Sequence, residues 1–381
     1  MKIGFLLLNT HSGRGGLEKV LIDITDGIKQ YGVTSYVYSL YEPIYAEFKD
    51  HFENFECIDV SDKFKIKNRF MPKFLYKYLY KKATQKKAHI LWNSIYEQKL
   101  DALIVLNLSK QFVNNYDSLR RLKKVSDIPF LSWTHSSLRD TSPATKKAVE
   151  KFIDIFDLHL AIGEGMQREL KEIYNLDNIK VTYNPIKKAN FLKRQYNRFL
   201  YIGRIDKNKR LIELLNILKK LHGEWRLDIY GSTGDIENDR VFQESILNDQ
   251  QLNNNVVFHG WKLDPWASIE EAGVLLLNSK TEGFSLVLAE AMMRGIPCVS
   301  ANCPVGPAYI VKNGINGWLY DMDDEENCLH ILQNILNTTI ELPLQEDVCA
   351  SVERFESEKV FLEFTNALKQ AKKNYNSNKG V

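Results

Sequence analysis

Two kinds of segment alternate along the chain. Short runs such as KIGFLLL, SYVYSL, ALIVLNL and PFLSWTH are apolar almost throughout, which predicts buried strands. Between them lie stretches whose apolar residues recur at helical spacing, the clearest being LEKVLIDITDGIKQYG, which Gly32 ends. LHLAIG and IKVTYNP complete this first set of strands. A second set starts at FLYIGRI (199–205) and continues through RLDIYGS, VVFHGW, GVLLLNS and PCVSAN. Helices are expected at LIELLNILKKLH and near residues 238–249. Strands alternating with helices imply parallel sheets covered on both faces. The pattern therefore predicts an α/β protein of two Rossmann-like domains, residues 1–190 and 191–355. The polar, basic stretch Lys187–Arg198 joins them, and a terminal helix (FESEKVFLEFTNALKQAKK) lies in 356–381. Ligands of such sheets bind at the carboxyl ends of the strands, here in a cleft faced by both.

Composition narrows the class. At 381 residues the chain has length for two cores, and 44% hydrophobic with 26% charged residues is ordinary for a soluble globular protein. A net charge of +3 is too small to indicate nucleic acid. No apolar run approaches a membrane span, and residues 1–10 are too short for a signal peptide, so they read as a first strand. The five cysteines (Cys57, Cys298, Cys303, Cys328, Cys349) are odd in number and lack C-x2-C pairs, which indicates reduced thiols and a cytoplasmic location. One stretch changes this picture. From Lys63 to Lys87 basic residues alternate with Phe and Tyr and no acid occurs. It reads as a solvated basic face, as a surface for anionic membrane lipid over 63–88 or, with little support elsewhere in the chain, as a basic groove for nucleic acid, and Pro72 confines its helix to 73–88.

The chemistry concentrates in SKTEGFSLVLAEAMMRGIPCVSANCPVGPAYIVKNGINGW (279–318). Leu286 to Met293 are good helix formers, so Gly283, Phe284 and Ser285 should form a helix N-terminus. Free amides and the macrodipole would favour an anion there. Glu282 precedes this start, and Glu290 lies about two turns on, deeper but near the same face. A diphosphate at the amides with ribose and sugar on the carboxylates fits a nucleotide-sugar, although an ordinary amphipathic helix with an acidic first turn would read the same. Arg204, at the end of the FLYIG strand, and Lys209, ahead of the next helix, could face the leaving diphosphate, although a basic surface loop would look the same. His135 ends the PFLSWTH strand. Gly13-x-Gly15-Gly16 follows the first strand and falls short of G-x-G-x-x-G, and Glu18 beyond it reads as a charge in the first turn of a helix. Asn184-Pro185-Ile186 reads as a structural turn. Asp321-Met322-Asp323 lies between a strand and a helix, where capping accounts for it better than a metal.

The Glu282-x7-Glu290 spacing, the GIPCVS strand and the GINGW turn resemble the signature of retaining glycosyltransferases with the GT-B fold. These are the GT4-like group 1 transferases, and the resemblance runs over nearly the whole chain. It implies a diphosphate held by Arg204 and Lys209, with Gly203 beside them and Gly283, Phe284, Ser285 and Leu286 at the helix start. Glu282 and Glu290 would contact donor hydroxyls. Gly15 and Gly16, in a GG-x-E-x-V opening, would lie below the donor phosphates and acceptor, and His135 near the transferred sugar. The nucleobase would sit near Tyr230, Gly260 and Trp261, with UDP the expected nucleotide and no metal or other cofactor required. In GPxxI, Tyr309 stands where the family often has Glu, which leaves the diphosphate amides intact and the acceptor contacts open. WTHSSL, GEWRLDIYG, FHGWKLDPW and EGFSLVLAEAM resemble the branch that adds galactose to lipopolysaccharide cores.

The implied reaction moves a hexose, galactose or else glucose, from a UDP-hexose donor to a glycan or glycolipid acceptor, a bacterial surface glycan or lipopolysaccharide precursor. Retention would follow from same-face attack, and the terminal helix would return to the first domain. Acceptor recognition is expected around residues 40–120. Two other classes compete. A non-catalytic GT-B partner subunit would be expected to lose one of Arg204, Lys209, Glu282 or Glu290. An NAD-dependent oxidoreductase could use Glu42 for a ribose but leaves the second phosphate constellation unexplained.

Overall fold

The structure is a computed structural model that describes residues 1–379 except 13, 60–71, 73, 74, 76–81, 83–87 and 140. Most of the basic segment at 63–88 and Gly13 thus lie outside the described residues. The chain divides into two compact units, Met1–Pro185 together with Glu358–Val381, and Ile186–Ser357.

The first unit is built on β1 (Lys2–Leu7), β2 (Thr34–Ser39), β3 (Phe55–Cys57), β4 (Ala102–Leu106), β5 (Phe130–Thr134), β6 (Leu158–Ala161) and β7 (Ile179–Val181). They pair in the order β3-β2-β1-β4-β5-β6-β7, every pair parallel. β4 and β5 are buried at every position, which explains why they read as unbroken apolar runs. Helix starts carry their own acceptors. Ser109 caps the helix Lys110–Ser126 by accepting from the Gln111 and Phe112 amides, and Ser142 caps Pro143–Glu150. The terminal helix Ser357–Ser377 packs on this sheet: Phe364 meets Trp133 at 5.1 Å and Phe5 at 6.5 Å between ring centroids.

The second unit holds β8 (Lys193–Ile202), β9 (Arg226–Tyr230), β10 (Val256–Gly260), β11 (Glu271–Leu277), β12 (Cys298–Ala301) and β13 (Gly317–Tyr320). Their order is β10-β9-β8-β11-β12-β13, again all parallel. Phe199, Leu227, Ile229, Val274 and Leu276 form its core with Leu214 and Leu218 from the helix Leu211–Leu218.

Two expectations need correction. The stretch Lys187–Arg198 is not a connector throughout, because β8 already begins at Lys193. Its cations find partners in the fold: Arg198 donates to Asp228 in β9 at 2.8 Å and also to Glu271 in β11, and Arg194 donates to the Gly295 carbonyl in a loop at 2.5 Å. Polarity therefore misled where ion pairs replaced solvent. The second correction concerns Asp321-Met322-Asp323, which does not supply the cap. Asp324 accepts from Asn327 N–H at 3.0 Å to start Glu325–Leu336, while Asp323, at φ 76°, pairs with Arg210 at 2.8 Å. No helix among the described residues is long and apolar enough to cross a membrane.

Candidate active site

The carboxyl ends of β8, β9 and β10 meet edge to edge. Gly203 N–H donates to the Tyr230 carbonyl at 3.0 Å, and Gly231 N–H to the Gly260 carbonyl at 2.9 Å. A Cβ on Gly231 would lie 2.0 Å from the Gly203 carbonyl oxygen, so only glycine permits this approach. The Tyr230 ring is buried and stacked on His259 at 4.3 Å, and His259 Nε2 lies 2.7 Å from the Asp228 carboxylate. Gly260, at φ +69°, turns the chain to Trp261, which is 42% exposed.

The loop after β8 is fastened to the segment preceding Glu282. Asp206 accepts from the Asn208 and Lys209 amides, each at 3.0 Å. Asn208 then donates to the Thr281 carbonyl at 3.0 Å and accepts from the Thr281 hydroxyl at 2.9 Å, and its own carbonyl accepts from Lys280 N–H at 2.7 Å. This lacing brings Lys209 Nζ to 2.5 Å from Glu282 Oε1, with the side chains only 15% and 12% exposed. Arg204, in the same loop, is 73% exposed and pairs with Asp206 at 3.1 Å. Lys209 and Glu282 thus form one unit, and Arg204 stands apart as a solvent-facing cation.

Directly after Glu282 the helix Leu286–Met293 begins. Ser285 precedes it at φ 76°, ψ 70°, a left-handed conformation that costs a non-glycine residue on the order of 1–2 kcal/mol. No side chain caps this helix, and the Ser285 hydroxyl is buried without a partner among the described residues. Gly306 packs against this turn. A Cβ there would fall 2.9 Å from both Glu282 Cβ and the Phe284 carbonyl oxygen. Phe284 is anchored edge-on against Phe355 at 4.9 Å. Gly283, Phe284, Ser285 and Leu286 therefore present an uncapped, strained helix start beside a half-buried Lys–Glu pair. Such a start suits an anion.

Glu290, one turn beyond Leu286, accepts from Trp266 Nε1 at 2.9 Å. Arg294 lies over the Trp266 ring at 4.4 Å and donates to the Glu290 carbonyl at 2.9 Å. Spacing alone missed Asn208, Thr281 and Trp266. Of these, only Trp266 had a signal, as the second tryptophan of FHGWKLDPW.

Gly15, Gly16 and His135 belong to the first unit. Gly15 precedes the helix Gly16–Gly27, and a Cβ on it would meet Glu18 Oε2 at 2.5 Å. Glu18 is buried and accepts from Ser12 N–H at 3.1 Å. His135 N–H donates to Asn107 Oδ1 at 2.8 Å, and its ring lies edge-on to Trp133 at 4.3 Å. Its Nε2 is buried with no partner among the described residues, and burial pushes its pKa down to about 3. The imidazole is thus neutral at pH 7 and offers a hydrogen bond without a charge. Glu42, the ribose candidate of the oxidoreductase reading, is tied to Lys49.

The glycosyl transferases group 1 family model matches residues 183–345, nearly all within the second unit. The chain is 28% identical over 375 residues to a lipopolysaccharide 1,6-galactosyltransferase of Escherichia coli, covering 95% of this chain and 96% of that one. It is 31% identical over 266 residues to a protein of the same description from Salmonella typhimurium, covering 66% of this chain and 71% of the relative. Among solved structures, Anabaena Alr3699/HepE in complex with UDP-glucose superposes with a TM-score of 0.72 at 18% identity, over 97% of this chain and 100% of that one. The order of strands, the superposition and the identity to the Salmonella relative agree: this chain is a GT-B-fold glycosyltransferase and belongs to the glycosyl transferases group 1 family.

Proposed function

We propose that the protein is a retaining, metal-independent hexosyltransferase. It takes a hexose, galactose by preference, from a UDP-sugar and places it on a lipopolysaccharide or related bacterial surface glycan precursor. The observation that carries this reading is the withdrawn Lys209–Glu282 pair beside the uncapped start of Leu286–Met293. Substrate class and sugar are supported by the 1,6-galactosyltransferase relatives, and the UDP donor by a structural neighbour that holds UDP-glucose.

In this mechanism the diphosphate lies on the helix amides, with Lys209 and Arg204 offsetting the charge that grows on the leaving oxygen. These cations and the helix terminus would perform the electrostatic work that a divalent ion does elsewhere. Glu282 and Glu290 would hold donor hydroxyls. Each carboxylate already has a fixed partner, Lys209 for Glu282 and the Trp266 indole for Glu290. That supports positioning roles rather than attack on the anomeric carbon. Same-face transfer follows: the C1–O bond to the diphosphate breaks, the acceptor oxygen bonds to C1 from the vacated side, and its proton passes to the departing phosphate oxygen. His135 would donate or accept a hydrogen bond at the transferred sugar, and Gly15 and Gly16 would let ligand approach the backbone. Trp261 and the peptide groups near Gly203, Tyr230 and Gly260 would flank the uracil and ribose. The test is release of UDP from UDP-hexoses in the presence of EDTA, with and without lipopolysaccharide acceptor. Release abolished by EDTA, or confined to a GDP- or ADP-sugar, would overturn the proposal.

A further inference from the structure

We infer that a cavity in the first unit binds an anionic group, phosphate or carboxylate, carried by the acceptor sugar; this rests on the transferase reading above. The cavity, about 280 Å³, opens among Asn9, Asn107, Ser109, Lys110, Thr134 and Ser136, around the carboxyl ends of β1, β4 and β5. That is close to the lower end of ligand clefts, roughly 300–1,000 Å³.

The hydrogen bonds already made decide what this cavity offers. His135 N–H can only donate, so the Asn107 side-chain oxygen is taken as its acceptor at 2.8 Å. Ser109 Oγ accepts from two helix amides and must use its own hydrogen toward Asn9 Oδ1, at 2.9 Å. Both asparagines therefore have their oxygens occupied, and neither amide nitrogen has a partner among the described residues. What remains for a ligand is two NH2 donors.

Lys110 is exposed and forms no ion pair with any described residue. Thr134 is 1% exposed, and its buried hydroxyl has no partner among the described residues. No carboxylate lines the cavity among the described residues. Glu169, behind Ser137, is held by Arg139 Nε at 3.0 Å and Leu138 N–H at 2.7 Å. A neutral sugar would need acceptors as well as donors. One ammonium, two amide donors and spare hydroxyls instead match an oxyanion set among hydroxyls.

The test uses the full-length protein saturated with UDP, so that the donor site is filled. Calorimetric titration would compare glucose 6-phosphate, glucuronate, glucose and inorganic phosphate on the native protein, Lys110→Met and Asn9→Asp. Asn9→Asp keeps the oxygen that Ser109 uses and turns the free donor into an acceptor. At least one charged sugar should bind roughly tenfold or more tightly than glucose, and each variant should remove most of that gain while UDP affinity stays unchanged. Equal affinity for charged and neutral sugars, charged-sugar binding untouched by both variants, or inorganic phosphate binding as well as glucose 6-phosphate would overturn the inference. Loss of UDP binding by the native protein would instead contradict the donor reading.

Discussion

At the residue scale, the Lys209–Glu282 pair behaves differently from the exposed ion pairs around it. Exposed pairs contribute little, whereas removing one member of a half-buried pair leaves the other charge partly desolvated and without its partner. Lys209→Met should lower kcat/KM for UDP-hexose by about a hundredfold or more, which steady-state kinetics would measure. Trp266 acts through Glu290. Trp266→Phe keeps an aromatic surface beneath Arg294 but removes the indole donor, so KM for the donor should rise by roughly tenfold, the scale of a hydrogen bond to a charged group. A purely structural role for Trp266 would lower the melting temperature and leave KM unmoved. His135 and His159 have a pH consequence. Burial holds their pKa values near about 3 and about 4, against 6.5 for an unperturbed histidine. Their neutral forms favour the fold above pH 6.5, and the unfolded chain binds more protons below it. Thermal stability should therefore fall as pH drops from 6.5 toward 4, by about 1.4 kcal/mol per unit for each histidine, and His159→Gln should flatten that slope.

At the element scale, the helix Leu286–Met293 owes its use to its irregular beginning. Ser285→Gly should relieve the left-handed strain and hold or raise the melting temperature, yet weaken UDP binding if the buried hydroxyl meets phosphate. A melting curve and a UDP titration on the same sample separate the two effects. Most strands and this helix were legible in the sequence, because buried parallel strands are continuously apolar and helices carry their own period. Glu282 was legible in the Glu-x7-Glu motif, and Lys209 as one of two cations, with Arg204. Their pairing was not, because it depends on Asn208 and Thr281 hydrogen bonding across more than 70 intervening residues. The first half of β8 was hidden for a related reason: Arg194 and Arg198 look solvent-bound until their partners in β9, β11 and the loops are placed. Left-handed Ser285 had no sequence signal, since serine rarely adopts that conformation.

At the scale of the whole molecule, the two units divide the work proposed here, one carrying the donor constellation and the other the donor-rich cavity. The basic segment at 63–88 adds a further expectation, drawn from composition alone. If it meets anionic lipid, the protein should sediment with phosphatidylglycerol vesicles and not with phosphatidylcholine vesicles, and the bound fraction should fall steeply with salt. Equal binding to both, or to neither, would remove the membrane from the proposal. The central claim is retention of anomeric configuration through a donor site built on Lys209, Glu282 and the uncapped helix. One measurement reaches it most directly: proton NMR of the sugar transferred from UDP-α-galactose to a truncated lipopolysaccharide acceptor in EDTA, for the native protein and Lys209→Met. An α-linked product from the native protein, with transfer collapsing in the variant, is the expected result. A β-linked product, or an unchanged rate in Lys209→Met, would contradict it.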